Sequence, residues 1–519
     1  MDAIETLKQD VREGRIGAER LVDLVVAVQR QFQVMQQQFQ ATQQQLEATQ
    51  QQLEAAKQVI EELKKKLGGA GTTKLDEPFS VRAEEKRQEA RGKKKRKKKQ
   101  KGRRGRFKTS DKIAQAERTE PVFPEGVAPD ACRLSHTRPV WRLENRRATL
   151  VAYQIYRGPN NQYGKIPGVL GRSEFGLEIV TELAYLVYVM GLSFDKACSL
   201  LNFFQNLRLQ KSQADALLNQ LSRHWEREFD VLCTLLANSL VVHADETSWS
   251  INSVWAFLSE KARVVLFGVN KDADTLKLIL DPETFAGFVI SDDAAVYENF
   301  TKAQKCWAHL LRKAIKLTLQ DPDNEVYRAF TDRLLEIYRE ACRVQRDQRL
   351  NDAGRIRKVA ALDDEIVDLC GAMWCAELPK LQGPQDDYRL LTNELMRLML
   401  AQQLFTFVTA EPVKQLNGTT KPVDGTNNEA ERTLRNPAMA RKTGRTNKAI
   451  RGARRQTILT SVLESLRLYL PTFTLSSVQD ELTRWWAAGK SCFTKLLKKL
   501  KLTPPKQSIL DRILPNPSG

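Results

Sequence analysis

The stretch at residues 240–249 constrains the fold of this chain more than any other. It opens with an apolar run rich in Val, which predicts a buried strand. Asp245 follows at the polar end of that run, and a second β-rich stretch begins at Val254. A carboxylate at the end of a core strand is held rigidly, as a metal site requires. Asp245 is therefore a candidate ligand if the fold brings other carboxylates beside it.

The order of the predicted elements indicates a mixed α/β fold. Hairpin strands come first, then a helix, and then further strands, with helices before and after them. Residues 119–175 are punctuated by Pro and Gly and are predicted to be irregular, whereas 322–410 is predicted to be almost wholly helical. We predict strands at 239–245, 253–258, 263–269 and 287–293, a short fifth strand at 306–309, and helices at 194–205, 211–238, 272–280 and 310–319.

A heptad pattern precedes these elements. Apolar residues such as Phe32, Phe39 and Leu46 recur every seven residues, and a companion series through Met35 and Thr42 keeps the same spacing. This pattern predicts a coiled coil at 21–67 and hence a homo-oligomer. Its many glutamines leave a low-complexity tract as the alternative, and the number of chains in the oligomer stays open.

The formal net charge of +19 points to a polyanion as the partner. Thirteen of the residues in 91–108 are Lys or Arg and none is acidic, so most of the excess charge lies in one run predicted to be disordered. We expect this run, including Lys94 and Lys97, to bind DNA phosphates without reading sequence. A solvated spacer is the alternative. The charge alone does not choose between DNA, RNA and an anionic membrane surface.

Several classes of protein are disfavoured by composition. No apolar run reaches the roughly 18 residues of a membrane span, so no membrane role is expected. The N-terminus lacks a signal-peptide core, and eight scattered cysteines suggest reduced thiols in the cytoplasm. Cys132 and His136 form half of a zinc site, but no second pair lies nearby, so no structural zinc is expected.

Three carboxylates are the candidate catalytic and metal-binding residues. Asp245 and Asp292 both end apolar strands and could project from one edge of a sheet. A third acid from a helix would complete a site for two Mg²⁺ or Mn²⁺ ions. Glu429 and Glu431 are both placed for this role. We choose Glu431, because at helical spacing it shares a polar face with Asn427, Asn428 and Arg435. Helix capping by Asn428 and Glu431 is the alternative.

The residues next to these acids are expected to have structural or phosphate-contacting roles rather than to bind metal. In a strand, Glu246 and Asp293 point away from Asp245 and Asp292, so we expect them to face loops or solvent. We expect His243 to be a buried, hydrogen-bonded histidine. His309 lies with Arg312 and Lys313 on a basic helix that could contact phosphate.

Four motifs in this order resemble the IS66 family of bacterial insertion-sequence transposases. They are His243-Ala244-Asp245-Glu246-Thr247, Asp292 with Tyr297, Cys306-Trp307-Ala308-His309 continuing to Lys313, and the stretch from Asn427 to Arg435. The similarity runs from about residue 173 to 482. It implies an RNase H-like domain whose three catalytic acids are Asp245, Asp292 and Glu431. It also implies DNA as the partner, and relatives' elements often encode small accessory proteins.

The resemblance and the composition together define the expected architecture. The fold class is α/β, with an RNase H-like mixed-sheet catalytic domain, a helical insertion, an N-terminal coiled coil and flanking helical regions. The expected regions are a helix and coiled coil at 1–67, a basic disordered linker at 68–118, an irregular and then helical DNA-binding region at 119–238, the catalytic core at 239–321 and 415–450, the insertion at 322–414, and C-terminal helices and tail at 451–519.

The expected function is that of a DNA transposase that cuts at element ends and transfers the 3′-hydroxyls to target DNA. An RNase H-like nuclease or resolvase without strand transfer, and a catalytically inactive DNA-binding relative, are the alternatives. The DNA sequence of the ends and the target preference stay open. The residues expected to position DNA phosphates are His309, Arg312, Lys313, Asn428, Arg432, Arg435, Arg441, Lys442 and Arg445, in addition to Lys94 and Lys97.

Overall fold

The computed structural model describes Gln36, residues 108–374 and residues 382–515. The predicted coiled coil at 21–67, apart from Gln36, lies outside these residues. The same holds for Lys94, Lys97 and the rest of the basic run before Lys108. The following elements belong to one compact unit that begins after Arg104.

A three-stranded sheet replaces the irregular structure predicted for 119–175, so that prediction is wrong. Helix α1 (Thr109–Ala114) precedes strands β1 (Arg118–Val122), β2 (Arg133–Glu144) and β3 (Arg147–Arg157), and β3 lies between the other two. The predicted linker at 68–118 therefore ends before Thr109. Asn145 and Arg146 both have positive φ, as a two-residue hairpin turn requires. The central strand is buried on both faces, so its sequence lacks the alternation that identifies half-buried strands.

Three helices follow, close to the predicted bounds. Helix α2 (Leu177–Ala184) continues as a π-helical turn, Tyr185–Val189. Helix α3 (Phe194–Gln205) begins where the Ser193 hydroxyl accepts a hydrogen bond from the Lys196 N–H at 3.2 Å. Helix α4 (Lys211–Ala237) buries an apolar face against α12, described below.

A five-stranded mixed sheet forms the centre of the unit. Its strands are β4 (Val241–Ser248), β5 (Ser253–Leu258), β6 (Arg263–Val269), β7 (Phe288–Ser291) and β8 (Ala303–Lys305), in the order β6-β5-β4-β7-β8. The pairs β4–β5 and β5–β6 are antiparallel, and the pairs β4–β7 and β7–β8 are parallel. Helix α5 (Ala273–Ile279) connects β6 to β7 where a helix was predicted, and Asp272 caps its start.

The fifth strand was predicted at the wrong residues. It ends at Lys305, and Trp307 begins helix α6 (Trp307–Gln320). Trp307, Leu310, Ala314 and Leu317 are buried at helical spacing, so the apolar character of 306–309 belongs to a buried helix face rather than to a strand.

Long helices occupy the stretch predicted to be helical. Helices α7 (Glu325–Arg346), α8 (Asp352–Trp374) and α9 (Pro384–Leu400) pack with α6 around a hydrophobic cluster of their own. The short helix α10 (Thr406–Thr409) and a two-stranded hairpin, β9 (Val413–Lys414) and β10 (Thr420–Lys421), lead back to the sheet. Within the described residues, no helix has both the length and the apolar character needed to cross a membrane.

The chain then returns to the sheet. Helix α11 (Asn428–Lys442) packs across β4 and β5, and helix α12 (Ile450–Tyr469) packs against β6. Helices α13 (Leu475–Ala488), α14 (Cys492–Lys499) and α15 (Ile509–Ile513) complete the fold. Buried residues of β3 to β8, α2 to α5 and α11 to α15 share one hydrophobic core.

Hydroxyl groups of α12 form hydrogen bonds with the free backbone groups of β6, an edge strand of the five-stranded sheet. Thr457, Ser461 and Ser465, spaced four residues apart, accept hydrogen bonds from backbone N–H groups of alternate residues of β6 at 2.9–3.0 Å. Ser461 and Ser465 also donate to carbonyl groups of the same strand. An edge strand is open to pairing with other chains, and this helix covers it.

We expect Ser461→Ala to lower the free energy of unfolding by about 1–3 kcal/mol, because it leaves the buried N–H of Val265 without a partner. Urea unfolding measures the change. Ser476→Ala, an exposed helical serine, is the matched control and should change stability by less than about 0.5 kcal/mol. Equal stability of the two variants would show that the hydroxyl does not support the strand.

Candidate active site

The sheet register aligns two of the predicted acids. Val241 pairs with Phe288 and His243 pairs with Ile290 in the parallel pair of β4 and β7. The same register, continued by two residues, brings Asp245 opposite Asp292. Neighbouring strands lie about 4.8 Å apart, and side chains at equivalent positions point to the same face. The structure therefore brings these two acids to one edge of the sheet.

Asp245 lies among negative charges. Burial, together with the charges of Glu246, Asp292 and Glu431, raises its pKa to about 7, against a hydrogen bond from the Glu246 N–H at 2.9 Å that lowers the pKa. Carboxylates crowded in a partly buried site favour protonation or a bound cation over free anions.

The raised pKa predicts that the metal-free protein loses stability as pH rises. The carboxyl group of Asp245 has a pKa of about 7 in the folded protein and 3.8 ordinarily, so the folded state holds more protons between these values. The free energy of unfolding therefore falls as pH rises through that window. We expect Asp245→Asn to raise the free energy of unfolding by about 2 kcal/mol at pH 8 but not at pH 4.

Urea unfolding in EDTA at both pH values tests this. Asp293→Asn is the matched control. It removes an ion pair with Arg397, whose side chain is more than half exposed, so the free energy of unfolding should change by less than about 1 kcal/mol. An Asp245→Asn protein no more stable than wild type at pH 8 would contradict the prediction.

Glu431 lies in the first turn of α11, and basic residues of α6 hold it. The Arg312 guanidinium donates to both of its carboxylate oxygens, at 3.0 and 2.7 Å, and His309 Nδ1 lies 3.5 Å from it. The alternative that Asn428 and Glu431 cap the helix is wrong. Asn427 occupies the capping position, and its side chain makes no cap hydrogen bond.

Glu431 and the two aspartates do not form a closed cluster. Within the described residues, two groups of three ligand atoms lie within 4.8 Å of one another: Cys306 with His309 and Glu431, and His243 with Asp424 and Glu429. The negative charge of Glu431 thus contributes to the raised pKa of Asp245, while the carboxylate oxygens of Glu431 contact Arg312. Repulsion from the aspartates opposes its closer approach.

Asn427 fixes the start of α11 against the sheet, a role that the sequence did not predict. It is fully buried; its side-chain N–H donates to the Ala244 carbonyl at 2.7 Å, and its side-chain oxygen lies 3.3 Å from His243 Nδ1. Its backbone N–H donates to Cys306 Sγ at 3.1 Å. These bonds join β4, α6 and α11 beside Asp245. The only sequence signal was an Asn pair before a helix, which capping also explains.

His243 is buried and hydrogen-bonded, as predicted, and burial lowers its pKa. The prediction for Glu246 is wrong. Its side chain is 2% exposed, accepts the Tyr297 hydroxyl at 2.6 Å and lies 2.6 Å from Lys271 Nζ. The strand continues past Asp245 to Ser248, so Glu246 points into the opposite face of the sheet instead of into a loop.

Asp293 does not face open solvent either. It forms an ion pair with Arg397 of α9 and lies 3.8 Å from Lys305 Nζ. Lys305 is a further residue that the sequence did not single out. It is buried, which lowers its pKa, and it donates to the Asp292 carbonyl at 3.1 Å. The sequence around Lys305, a lysine in a three-residue strand, did not indicate its contact with Asp292.

The residues predicted to bind phosphate lie in different parts of the structure and have different partners. His309 and Arg312 meet Glu431, whereas Lys313 pairs with Glu394 at 2.6 Å. Arg441 donates to the Ser248 carbonyl at 2.7 Å and ties α11 to β4. The remaining residues, all exposed, are Asn428, Arg432, Arg435, Lys442 and Arg445.

Sequence comparison identifies the family. The family model described as "Transposase IS66 family" matches residues 172–455, which is more than half of the chain. This chain therefore belongs to the IS66 family of transposases, which is named among the DDE transposases. The match spans α2 to α11 and the first residues of α12. No curated protein matches the chain. The family supports a transposase role and DNA as the partner.

Proposed function

We propose that this protein cuts DNA at the ends of an insertion sequence and joins the freed 3′-hydroxyls to target DNA. The observation that carries the proposal is the register of β4 and β7, which aligns Asp245 with Asp292, while α11 carries Glu431 in its first turn. Family membership supplies the chemistry that such a site serves. The mixed five-stranded sheet, with acids at one edge, supports the assignment of an RNase H-like fold.

The three acids suit a pair of hard divalent cations, Mg²⁺ or Mn²⁺. Asp245 and Asp292 offer oxygen ligands from adjacent strands, and the accumulated negative charge at Asp245 is what a cation would offset. Glu431 would hold one ion after its contact with Arg312 is broken. When bound, such ions activate the attacking oxygen and stabilise the leaving oxygen.

Two transfers follow from this arrangement. In the first, water attacks a phosphodiester at the element end, the bond from phosphorus to the 3′-oxygen breaks, and a 3′-hydroxyl and a 5′-phosphate are formed. In the second, that 3′-hydroxyl attacks a target phosphodiester and a target 3′-hydroxyl leaves. Asp245, Asp292 and Glu431 would hold the ions, which would offset the negative charge of the reacting phosphate.

Basic residues around the acids would position DNA. Arg312 and His309 lie within reach of Glu431, so a phosphate could take the place of that carboxylate on the guanidinium. Arg435 and Lys442 are exposed on the same helix and would contact the backbone. Self-association through 21–67, phosphate binding by Lys94 and Lys97, and a need for accessory proteins remain predictions.

Joining of labelled element-end DNA to a plasmid tests the proposal. The reaction contains the full chain, any small proteins encoded beside it, and Mg²⁺ or EDTA. We expect joined products with Mg²⁺ only. Cuts without joining would favour a nuclease or resolvase. Binding that weakens steeply with salt but gives no Mg²⁺-dependent cuts would show an inactive DNA-binding relative.

A further inference from the structure

A large cleft lies beside α11, away from the position of Glu431. It has a volume of about 960 Å³ and lies between α11, β6, α12 and the segment 187–194. Glu429, Arg432 and Asn436 line it at spacings of three and four residues, whereas Glu431 does not. We call it the α11 cleft. Its size is within the usual range of ligand-binding pockets.

The lining of the α11 cleft is more basic than acidic. Six cationic and three acidic side chains contribute to it. Glu429 pairs with Arg263 at 2.8 Å, and Glu464 lies 3.3 Å from Arg467, so the acids already have partners. Arg432 is exposed and forms no ion pair with any described residue. The cleft therefore favours an anionic ligand.

Polar atoms without partners also line the α11 cleft. Thr460 is 7% exposed, and its hydroxyl has no hydrogen-bond partner among the described residues. The same is true of Arg263 Nε. Buried polar groups are normally hydrogen-bonded, so two unsatisfied atoms on residues that line one cleft favour a polar ligand there.

Part of the lining is an apolar wall. Val187, Leu192, Val265 and Phe267 line it, and Val187 belongs to the π-helical turn. Turns of this kind occur frequently at functional sites. The turn is fixed across the cleft because Asn436 donates to the Val189 carbonyl at 3.2 Å. An apolar wall facing unpaired cations and hydroxyls suits a ligand with a flat ring at one end and phosphate at the other.

We propose that the α11 cleft binds one unstacked nucleotide of the bound DNA, with its base against the apolar wall and its phosphate near Arg432. This proposal rests on the proposed function, because the same helix carries Glu431. A nucleotide drawn out of the duplex would anchor the DNA end next to the site of chemistry. Free nucleotide has the same chemistry, and the experiment separates the two sources.

The test uses element-end duplexes with 2-aminopurine at successive positions near the cut, because emission of this base rises when it leaves the stack. Thr433→Trp and Val187→Trp fill the α11 cleft from opposite walls. Met439→Trp, exposed on α11 and outside the cleft lining, is the matched control. We expect wild type and Met439→Trp to give a several-fold rise at one position, and both filled variants to bind the duplex without that rise.

Other results would overturn the proposal. They are an equal rise in the filled variants, no rise at any position when wild type binds the duplex, or labelled dAMP bound in the cleft by a wild-type protein that shows no rise with DNA. A failure of the proposed function would be seen separately. The plasmid assay would then give no joined products, independently of the 2-aminopurine emission.

Discussion

Asp245→Asn, Asp292→Asn or Glu431→Gln is expected to reduce joined and cleaved products roughly 1,000-fold or more. Each change removes a carboxylate that the proposed cations need, from β4, from the end of β7 or from α11. DNA binding should change less than about threefold, because affinity for DNA comes mainly from phosphate contacts of basic residues. Product formation on labelled ends and gel-shift titration measure the two effects.

Asp293→Asn is the matched control for Asp292→Asn. The two residues are adjacent, but Asp293 pairs with Arg397 and is not aligned with Asp245 by the sheet register. We expect it to retain most activity. A fully active Asp292→Asn protein would remove the assignment of the three acids, and equal loss in both variants would show that the segment, rather than the carboxylate, is required.

Asn427→Ala is expected to lower the free energy of unfolding by about 2–4 kcal/mol and to reduce joining roughly 100-fold. The change leaves the Ala244 carbonyl and His243 without their side-chain partner in a fully buried place. It also frees the start of α11, so Glu431 is no longer held at a fixed position relative to Asp245. Chemical unfolding and the joining assay, run well below the melting temperature, measure the two effects.

Asn428→Ala, at the exposed neighbouring residue, is the control for stability and should change it by less than about 0.5 kcal/mol. The activity of Asn427→Ala is compared at equal amounts of folded protein. Full activity of folded Asn427→Ala would show that Asn427 supports the fold without positioning Glu431.

The parts of the fold that the sequence predicted are those with a clear local pattern. The helix at 272–280 has an Asp cap at its start, and the helices at 194–205 and 211–238 have amphipathic spacing, so local signals were sufficient. The acids at 245 and 292 were found because each ends an apolar run. The register that aligns them depends on strand pairing, which a linear sequence does not display.

The parts that were missed depend on contacts between distant residues. Strand β3 is buried on both faces by its neighbours, so the alternation used to find strands is absent. Asn427 acts through His243 and Cys306, which lie far from it in sequence. Glu246 was expected to be exposed because nothing in the sequence around it indicates that Tyr297 and Lys271 contact its side chain.

The joining assay with Glu431→Gln tests the central claim most directly. Wild type, Glu431→Gln and Glu298→Gln, an exposed glutamate in the same unit, are compared on labelled element ends with Mg²⁺. We predict joined products from wild type and Glu298→Gln and none from Glu431→Gln. Joining by Glu431→Gln at the wild-type level would contradict the account and would make Glu429 the candidate for the third acid.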